Sequence, residues 1–186
     1  SWIAEKIIIR IPLTNIIINK NDKSKDFNFK QSNAQSWLEE KDYVYEAKFN
    51  IEDLRNRYVI GAVDLSETTD LTCAKIMALD PDSNTKYVHT MYFIPEGKLE
   101  NSNDIESGAK YKEWAEQGIL TILPGLDNDL TKVADWFYQL YKDYGIRTVV
   151  CGYDQRFARE FKERMEDYGI DCEMVLQNAE TLNNAM

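Results

Sequence analysis

The order of apolar segments after residue 57 constrains the fold more than any other feature of this sequence. Three segments typical of β-strands follow one another with short polar links: RYVIGAVDL at 57–65, LTCAKIMAL at 71–79 and TKYVHTMYFI at 85–94. The link DPDSN has the composition of a tight turn, and Pro95 ends the third segment. Consecutive strands with short links pair with their neighbours, so this region predicts an antiparallel three-strand meander.

The second half of the chain alternates helices with strands. After a polar loop, AKYKEWAEQG predicts a short helix and ILTILPG a short extended segment. The segment 128–145 predicts the longest helix, which Asn128 can cap and Gly145 can end. Its apolar stripe has helical spacing and consists of Leu130, Val133, Ala134, Phe137, Leu140, Tyr141 and Tyr144. The segments 146–154, 155–169 and 170–177 then predict strand, helix and strand.

This order of elements predicts the fold class. Strand–helix–strand connections favour parallel pairing with right-handed crossovers. A meander followed by such units is typical of an α/β, ribonuclease-H-like mixed sheet flanked by helices. In that arrangement the strand 57–65 lies beside the strand 146–154 and parallel to it.

Two apolar strands end directly in an aspartate, Asp64 in the first and Asp154 in the second. Ligands of open α/β sheets bind at the carboxyl ends of parallel strands, where both aspartates would project. Two neighbouring carboxylates repel each other unless a cation or a proton lies between them. The pattern therefore favours one or two Mg²⁺ or Mn²⁺ ions that activate water for phosphodiester hydrolysis.

Other interpretations of these acids remain open at this point. Each aspartate can instead cap the next turn or helix, and Asp154 is well placed as a helix N-cap. Asp70 is a third candidate ligand, although closing the turn before the second strand is its more ordinary role. His89 is the single histidine and lies in mid-strand, so a core or surface role is favoured over catalysis. No acyl-transfer triad and no Gly-rich phosphate loop is present.

The charge distribution argues against simple DNA binding. Residues 1–57 carry 10 Lys/Arg and 9 Asp/Glu, whereas residues 58–186 carry 12 Lys/Arg and 23 Asp/Glu. An acidic region is a poor electrostatic match for a phosphate backbone. Three basic residues of the predicted helix 155–169 lie opposite its apolar stripe and are candidate DNA contacts: Arg156, Arg159 and Lys162. Acids are interleaved with them, so a solvated mixed-charge face is the alternative.

Composition sets a few further limits. No run approaches 18 apolar residues, so no membrane-spanning segment and no membrane partner are expected. The three cysteines Cys73, Cys151 and Cys172 lack metal-ligand spacing, which favours reduced, buried thiols inside a cell.

Four motifs follow one another along the chain: GAVDLSETTDLT, YFIPEG, YKEWAEQGILTILPG and CGYD. In order and spacing they resemble the nuclease half of tailed-phage terminase large subunits, and the upstream FNFKQSNAQSWLEE resembles the connector that precedes that nuclease. The resemblance covers residues 26–178. It implies a domain boundary between an arm or connector at 1–56 and a C-terminally truncated ribonuclease-H-like nuclease at 57–186.

The resemblance also implies a function. Terminase large subunits are DNA-packaging motors whose nuclease cuts concatemeric DNA, with double-stranded DNA, a portal protein and a small terminase subunit as partners in the bacterial host cytoplasm. Asp64 matches the first metal-binding aspartate of the family and Asp154 matches the second, with Mg²⁺ or Mn²⁺ as cofactor. The third acid of the family lies on a helix beyond the last strand, and it has no counterpart in this sequence. The Walker motifs of the ATPase are also absent from this sequence. A weakly active or inactive fragment is therefore expected.

Two functions compete with a metal-dependent endodeoxyribonuclease. The first is a non-catalytic ribonuclease-H-like module that docks to the portal or to the small subunit. The second is an actin-like nucleotide-binding domain, which also begins with an aspartate-bearing strand but needs glycine-rich phosphate loops that this sequence lacks.

Overall fold

The computed structural model of the protein describes residues 49–66, 71–83, 85–101, 104, 108–154 and 158–175. The described residues from Asn50 onward belong to one compact unit. The predictions for residues 1–48, for Asp70, for Arg156 and for the tail after residue 175 lie outside the described residues. The domain boundary at residue 56 stays a prediction.

Six strands and three α-helices make up the described fold, and all of them fall in segments that the sequence pattern predicts. In chain order they are β1 (Tyr58–Asp64), β2 (Thr72–Leu79), β3 (Lys86–Pro95), α1 (Tyr111–Glu116), β4 (Leu120–Leu123), α2 (Leu130–Tyr144), β5 (Arg147–Tyr153), α3 (Arg159–Asp167) and β6 (Asp171–Met174). Short 3-10 helices precede β1 at Ile51–Leu54 and follow β3 at Glu96–Lys98.

The strands form one mixed sheet in the order β4-β3-β2-β1-β5-β6. β1, β2 and β3 pair antiparallel as a meander, whereas the pairs β3–β4, β1–β5 and β5–β6 are parallel. The predicted fold class, an α/β mixed sheet with a meander followed by parallel units, is therefore confirmed. The predicted adjacency of the first strand and the strand that ends before Asp154 is confirmed with it.

A glycine lets α2 lie close against the middle of the sheet. A Cβ atom on Gly61 of β1 would come within 2.9 Å of Phe137 on α2 and 3.1 Å of Cys151 on β5. Phe137 is 1% exposed and packs edge-on against Phe161 of α3 at 6.3 Å between ring centroids. The face of β1 that carries Gly61 is thus the core face, because a large apolar side chain fills the space above the glycine.

Two details of α2 differ from the prediction. Asp129, not Asn128, is the N-cap residue, and its carboxylate accepts a hydrogen bond from the backbone N–H of Thr131. Asn128 is buried and bonds elsewhere in the fold. Tyr141 was predicted in the apolar stripe but is 47% exposed, with the Arg147 guanidinium 5.7 Å from the centre of its ring.

The structure also places the single histidine and the apolar residues of α3. His89 stacks on Trp136 of α2 at 5.9 Å between ring centroids, and burial lowers the pKa of the imidazole. Phe161 and Met165 of α3 are buried and have the i, i+4 spacing of an apolar helical stripe. The described helices include none with the length and apolar character needed to cross a membrane.

Candidate functional site

Asp64 and Asp154 leave the sheet at the same end of two neighbouring strands. Asp64 is the last residue of β1, and Asp154 directly follows the last residue of β5. The parallel register pairs Val63 with Tyr153, so the next residue along each strand is one of the two aspartates. Adjacent strands are about 4.8 Å apart, so the backbones of the two aspartates lie at one edge of the sheet.

The side chain of Asp64 points away from α2. Gly61 faces Phe137 of α2, and side chains alternate between the two faces along a strand. Asp64 is three positions further along β1 and so belongs to the opposite face. The register extends this row across the sheet, since Asp64 lies opposite Cys73 of β2 and Cys73 lies opposite Tyr92 of β3.

The two neighbours in this row are neutral at pH 7. Burial raises the pKa of the Cys73 thiol to about 11, with Lys75 lowering it and Asp64 raising it as smaller influences. Burial also raises the pKa of the Tyr92 phenol to about 12. In the metal-free protein neither group adds charge to the row, and the two aspartates are its acids.

A buried group of hydrogen bonds holds the chain where it leaves β1. The hydroxyl of Thr72 accepts from the backbone N–H of Ser66 at 3.0 Å and donates to the Ser66 carbonyl at 3.1 Å. The side-chain amide of Asn128 donates to the same carbonyl at 2.8 Å and to the Thr72 hydroxyl at 3.4 Å. The start of the loop after Asp64 is therefore tied both to β2 and to the segment before α2.

The donor chemistry of this sheet edge fits a hard divalent cation. Mg²⁺ and Mn²⁺ prefer carboxylate oxygens, and Mg²⁺ is commonly held by one or two carboxylates with water completing its shell. Within the described residues, no group of three or more His, Cys, Asp or Glu side chains could hold a metal. Asp70 lies outside the described residues, so its role as a further ligand stays a prediction.

The candidate DNA contacts on α3 are paired with acids of their own helix. Arg159 bonds Glu163 at 3.0 Å and Lys162 lies 3.4 Å from Glu166. Such exposed pairs contribute little stability, but they reduce the positive charge that the helix offers to a phosphate. This favours the mixed-charge alternative, and the contact of these residues with DNA stays a prediction.

Sequence patterns missed three residues near the aspartates. Lys75 lies two residues after Cys73 on β2 and so shares the face of Asp64; within the part of the chain that the structure describes, it forms no ion pair. The sequence does contain a signal for Lys75, because it is the single lysine inside the apolar run TCAKIMAL. Thr72 and Asn128 gave no signal, because their shared partner Ser66 is six and 62 residues away.

Comparisons with known proteins agree with this fold. A family model described as "Terminase large subunit, endonuclease domain" matches residues 5–186. The crystal structure of the HK97 bacteriophage large terminase is similar with a TM-score of 0.55 and 20% sequence identity. That match covers 70% of this chain and 28% of the other, so this chain spans less than a third of that protein. No curated protein matches significantly. On the family match, the chain belongs to the endonuclease domain family of terminase large subunits.

Proposed function

We propose that this domain cuts DNA by phosphodiester hydrolysis that depends on a divalent metal held by Asp64 and Asp154, and that concatemeric phage DNA is its substrate. The observation that carries the proposal is the parallel register of β1 and β5, which places Asp64 at the end of β1 and Asp154 directly after β5 at one edge of the sheet. Family membership supports the endonuclease reaction, and the two acids supply the ligand chemistry that the reaction needs.

Each residue of the edge has a defined part in this mechanism. Asp64 and Asp154 hold Mg²⁺ or Mn²⁺ through carboxylate oxygens, which suit hard cations. When bound there, such an ion would supply an activated water and positive charge for the leaving oxygen. In the metal-free protein Cys73 and Tyr92 are neutral beside Asp64. Lys75, on the same face, supplies positive charge where an anionic phosphodiester approaches two carboxylates.

The biological setting of this activity is part of the proposal. Double-stranded DNA is the substrate, and a portal protein and a small terminase subunit are the protein partners, in the cytoplasm of the bacterial host. Family membership supports all of these, because they describe how a terminase large subunit works. The ATPase that would drive packaging has no motif in this sequence.

A plasmid-nicking assay of the whole chain with Mn²⁺ tests the proposal. Asp64→Asn keeps the shape of the side chain and removes its charge, so we expect nicking to fall about 100-fold or more, since several kcal/mol of transition-state stabilisation depend on the ion. Asp171→Asn is the matched control, because Asp171 is exposed on the same sheet at the start of β6. Equal nicking by Asp64→Asn and the parent chain would refute the metal site.

The same variants separate the enzyme from a docking module. A non-catalytic module keeps its binding to portal or small subunit in Asp64→Asn and shows no nicking in either form. Slow nicking at millimolar Mn²⁺ that disappears in Asp64→Asn supports the enzyme, since two carboxylates hold an ion loosely.

A further inference from the structure

The buried hydrogen bonds that join Thr72, Asn128 and Ser66 bear directly on Asp64. Ser66 is two residues beyond Asp64, and both its backbone N–H and its carbonyl bond to the Thr72 hydroxyl. Between these anchors Leu65 is itself buried. Asp64 is held on its other side by its sheet register with Cys73. The backbone that carries the Asp64 carboxylate is thus fixed on both sides.

The hydroxyl of Thr72 uses its full bonding capacity in this cluster. It donates one hydrogen bond to the Ser66 carbonyl and accepts two, from the Ser66 N–H and from the Asn128 amide. A threonine hydroxyl has one donor and two acceptor sites, so no capacity is left over. Thr72 has no exposed surface, and removing its hydroxyl would take this part-buried bond from the Ser66 N–H.

The orientation of Asn128 is set by the same cluster. Its Nδ2 atom donates to the Ser66 carbonyl at 2.8 Å. A flipped amide would bring two acceptor oxygens together there, so the hydrogen bonds themselves define the orientation. The Oδ1 atom is buried and has no hydrogen-bond partner among the described residues. The Ser66 carbonyl therefore accepts hydrogen bonds from both Thr72 and Asn128.

We infer that Thr72 and Asn128 are positioning residues, which fix the direction of the Asp64 carboxylate toward a divalent ion by holding Ser66. The inference rests on the proposed function, since it assigns the cluster to the metal site of that function. A metal ligand must be held to within about 0.5 Å, and residues that orient ligands typically affect metal affinity 10- to 100-fold. A cluster that only closes the loop would affect stability and leave the affinity unchanged.

Metal binding of the whole chain, measured from the electron paramagnetic resonance signal of free Mn²⁺, separates these roles. Thr72→Val keeps the shape and removes the hydroxyl, and we expect its Kd for Mn²⁺ to rise about 10-fold or more. Thr72→Ser keeps the hydroxyl and should bind within about twofold of the parent chain. Ile76→Val is the control for stability, because Ile76 is buried on the same strand and makes no hydrogen bond to the loop. It should lose stability with an unchanged Kd.

Two further outcomes complete the test. If Thr72→Val does not fold, Asn128→Ala removes the amide and leaves the Thr72 hydroxyl in place, and the same rise in Kd is expected. Mn²⁺ binding that Asp64→Asn abolishes but Thr72→Val and Asn128→Ala leave unchanged overturns the positioning role alone. If Asp64→Asn binds Mn²⁺ as the parent chain does, the metal site at Asp64 fails, and the positioning role fails with it.

Discussion

The two ends of the central strands β1 and β5 are built from opposite kinds of contact. At the amino end the groups satisfy one another: the Asn56 N–H donates to the Tyr144 carbonyl at 3.0 Å and the Arg147 N–H to the Arg57 carbonyl at 2.9 Å. The Arg147 guanidinium also lies over the ring of Tyr58 at 5.8 Å. At the carboxyl end two aspartates come to the same level of the sheet. One end serves stability, and the other brings two acidic residues to one edge of the sheet.

The carboxylates of the two ends show the same contrast. Asp80, in the turn after β2, lies at the amino end and accepts hydrogen bonds from the Ser83 hydroxyl at 2.9 Å and from the Asp82 N–H at 3.1 Å. At the carboxyl end the buried hydrogen bonds hold the backbone of Ser66, next to Asp64. The hydrogen bonds thus reach the Asp80 carboxylate itself at the amino end and the backbone of Ser66, next to Asp64, at the carboxyl end.

The largest expected effect is a loss of stability from a substitution at the amino end of β1 and β5. Gly145 ends α2 with φ of +69°, and a Cβ atom there would overlap the side-chain oxygen of Asn56. Gly145→Ala should lower the free energy of unfolding by about 2 kcal/mol, because the left-handed backbone is unfavourable for alanine and the exposed Asn56 side chain must also move. Urea denaturation measures this loss.

Gly169→Ala is a matched control for that substitution. Gly169 has nearly the same φ of +73°, but no atom lies within 4 Å of the position that its Cβ would take. It should lose only the backbone part, about 1 kcal/mol. Equal losses in the two variants would show that Asn56 does not constrain the amino end.

The sequence predicts the two ends unequally well. Gly145 as a helix end and the adjacency of β1 and β5 follow from local patterns and from the connection rules for strand–helix–strand units. Placing Asp64 and Asp154 at one sheet edge follows in turn. The bonding of Asn128 does not follow, because a polar residue before a helix has the local pattern of a cap and its partner Ser66 is distant in sequence.

The exposure of Tyr141 also escapes prediction, for a different reason. Helical spacing places it beside the apolar stripe of α2, yet its ring lies on the surface under the Arg147 guanidinium. A tyrosine has an apolar ring and a polar hydroxyl, so periodicity alone does not decide between core and surface. The cation that holds it outside comes from another element of the fold.

The second-largest expected effect is the stability that the chain gains when a metal ion binds at the carboxyl end of β1 and β5. Mn²⁺ at ten times its Kd should stabilise the chain by about 1.4 kcal/mol, because the ion binds the folded state only. Thermal unfolding with and without millimolar Mn²⁺ measures the gain. Asp64→Asn should abolish it, whereas Asp171→Asn at the amino end of β6 should retain it. A full gain in Asp64→Asn would place the cation elsewhere on this acidic chain.

In the absence of metal, Asp64→Asn should increase the stability of the chain. Asp64→Asn removes one of two like charges at the sheet edge, so the metal-free chain should gain about 1 kcal/mol of stability. Denaturation in chelator measures the gain, which should shrink as salt screens the repulsion. A loss of stability at low salt would show that the Asp64 carboxylate stabilises the metal-free fold through its neighbours, as Asp80 does in its turn.

The smallest expected effect is the pH dependence of stability that comes from Asp80, the hydrogen-bonded carboxylate at the amino end. Hydrogen bonds, first from Ser83 and then from the Asp82 N–H, lower the pKa of Asp80 below its ordinary 3.8. The folded state therefore binds this proton less tightly than the unfolded state, so Asp80 contributes fully above pH 3.8 and loses its contribution as pH falls through the lowered pKa. Asp80→Asn should be less stable than the parent chain at pH 5–7, and the difference should shrink below pH 3.8 in urea denaturation. Ser83→Ala, which removes the main donor, should reduce the same pH-dependent difference, and a difference that stays constant down to pH 3 would contradict the role given to these hydrogen bonds.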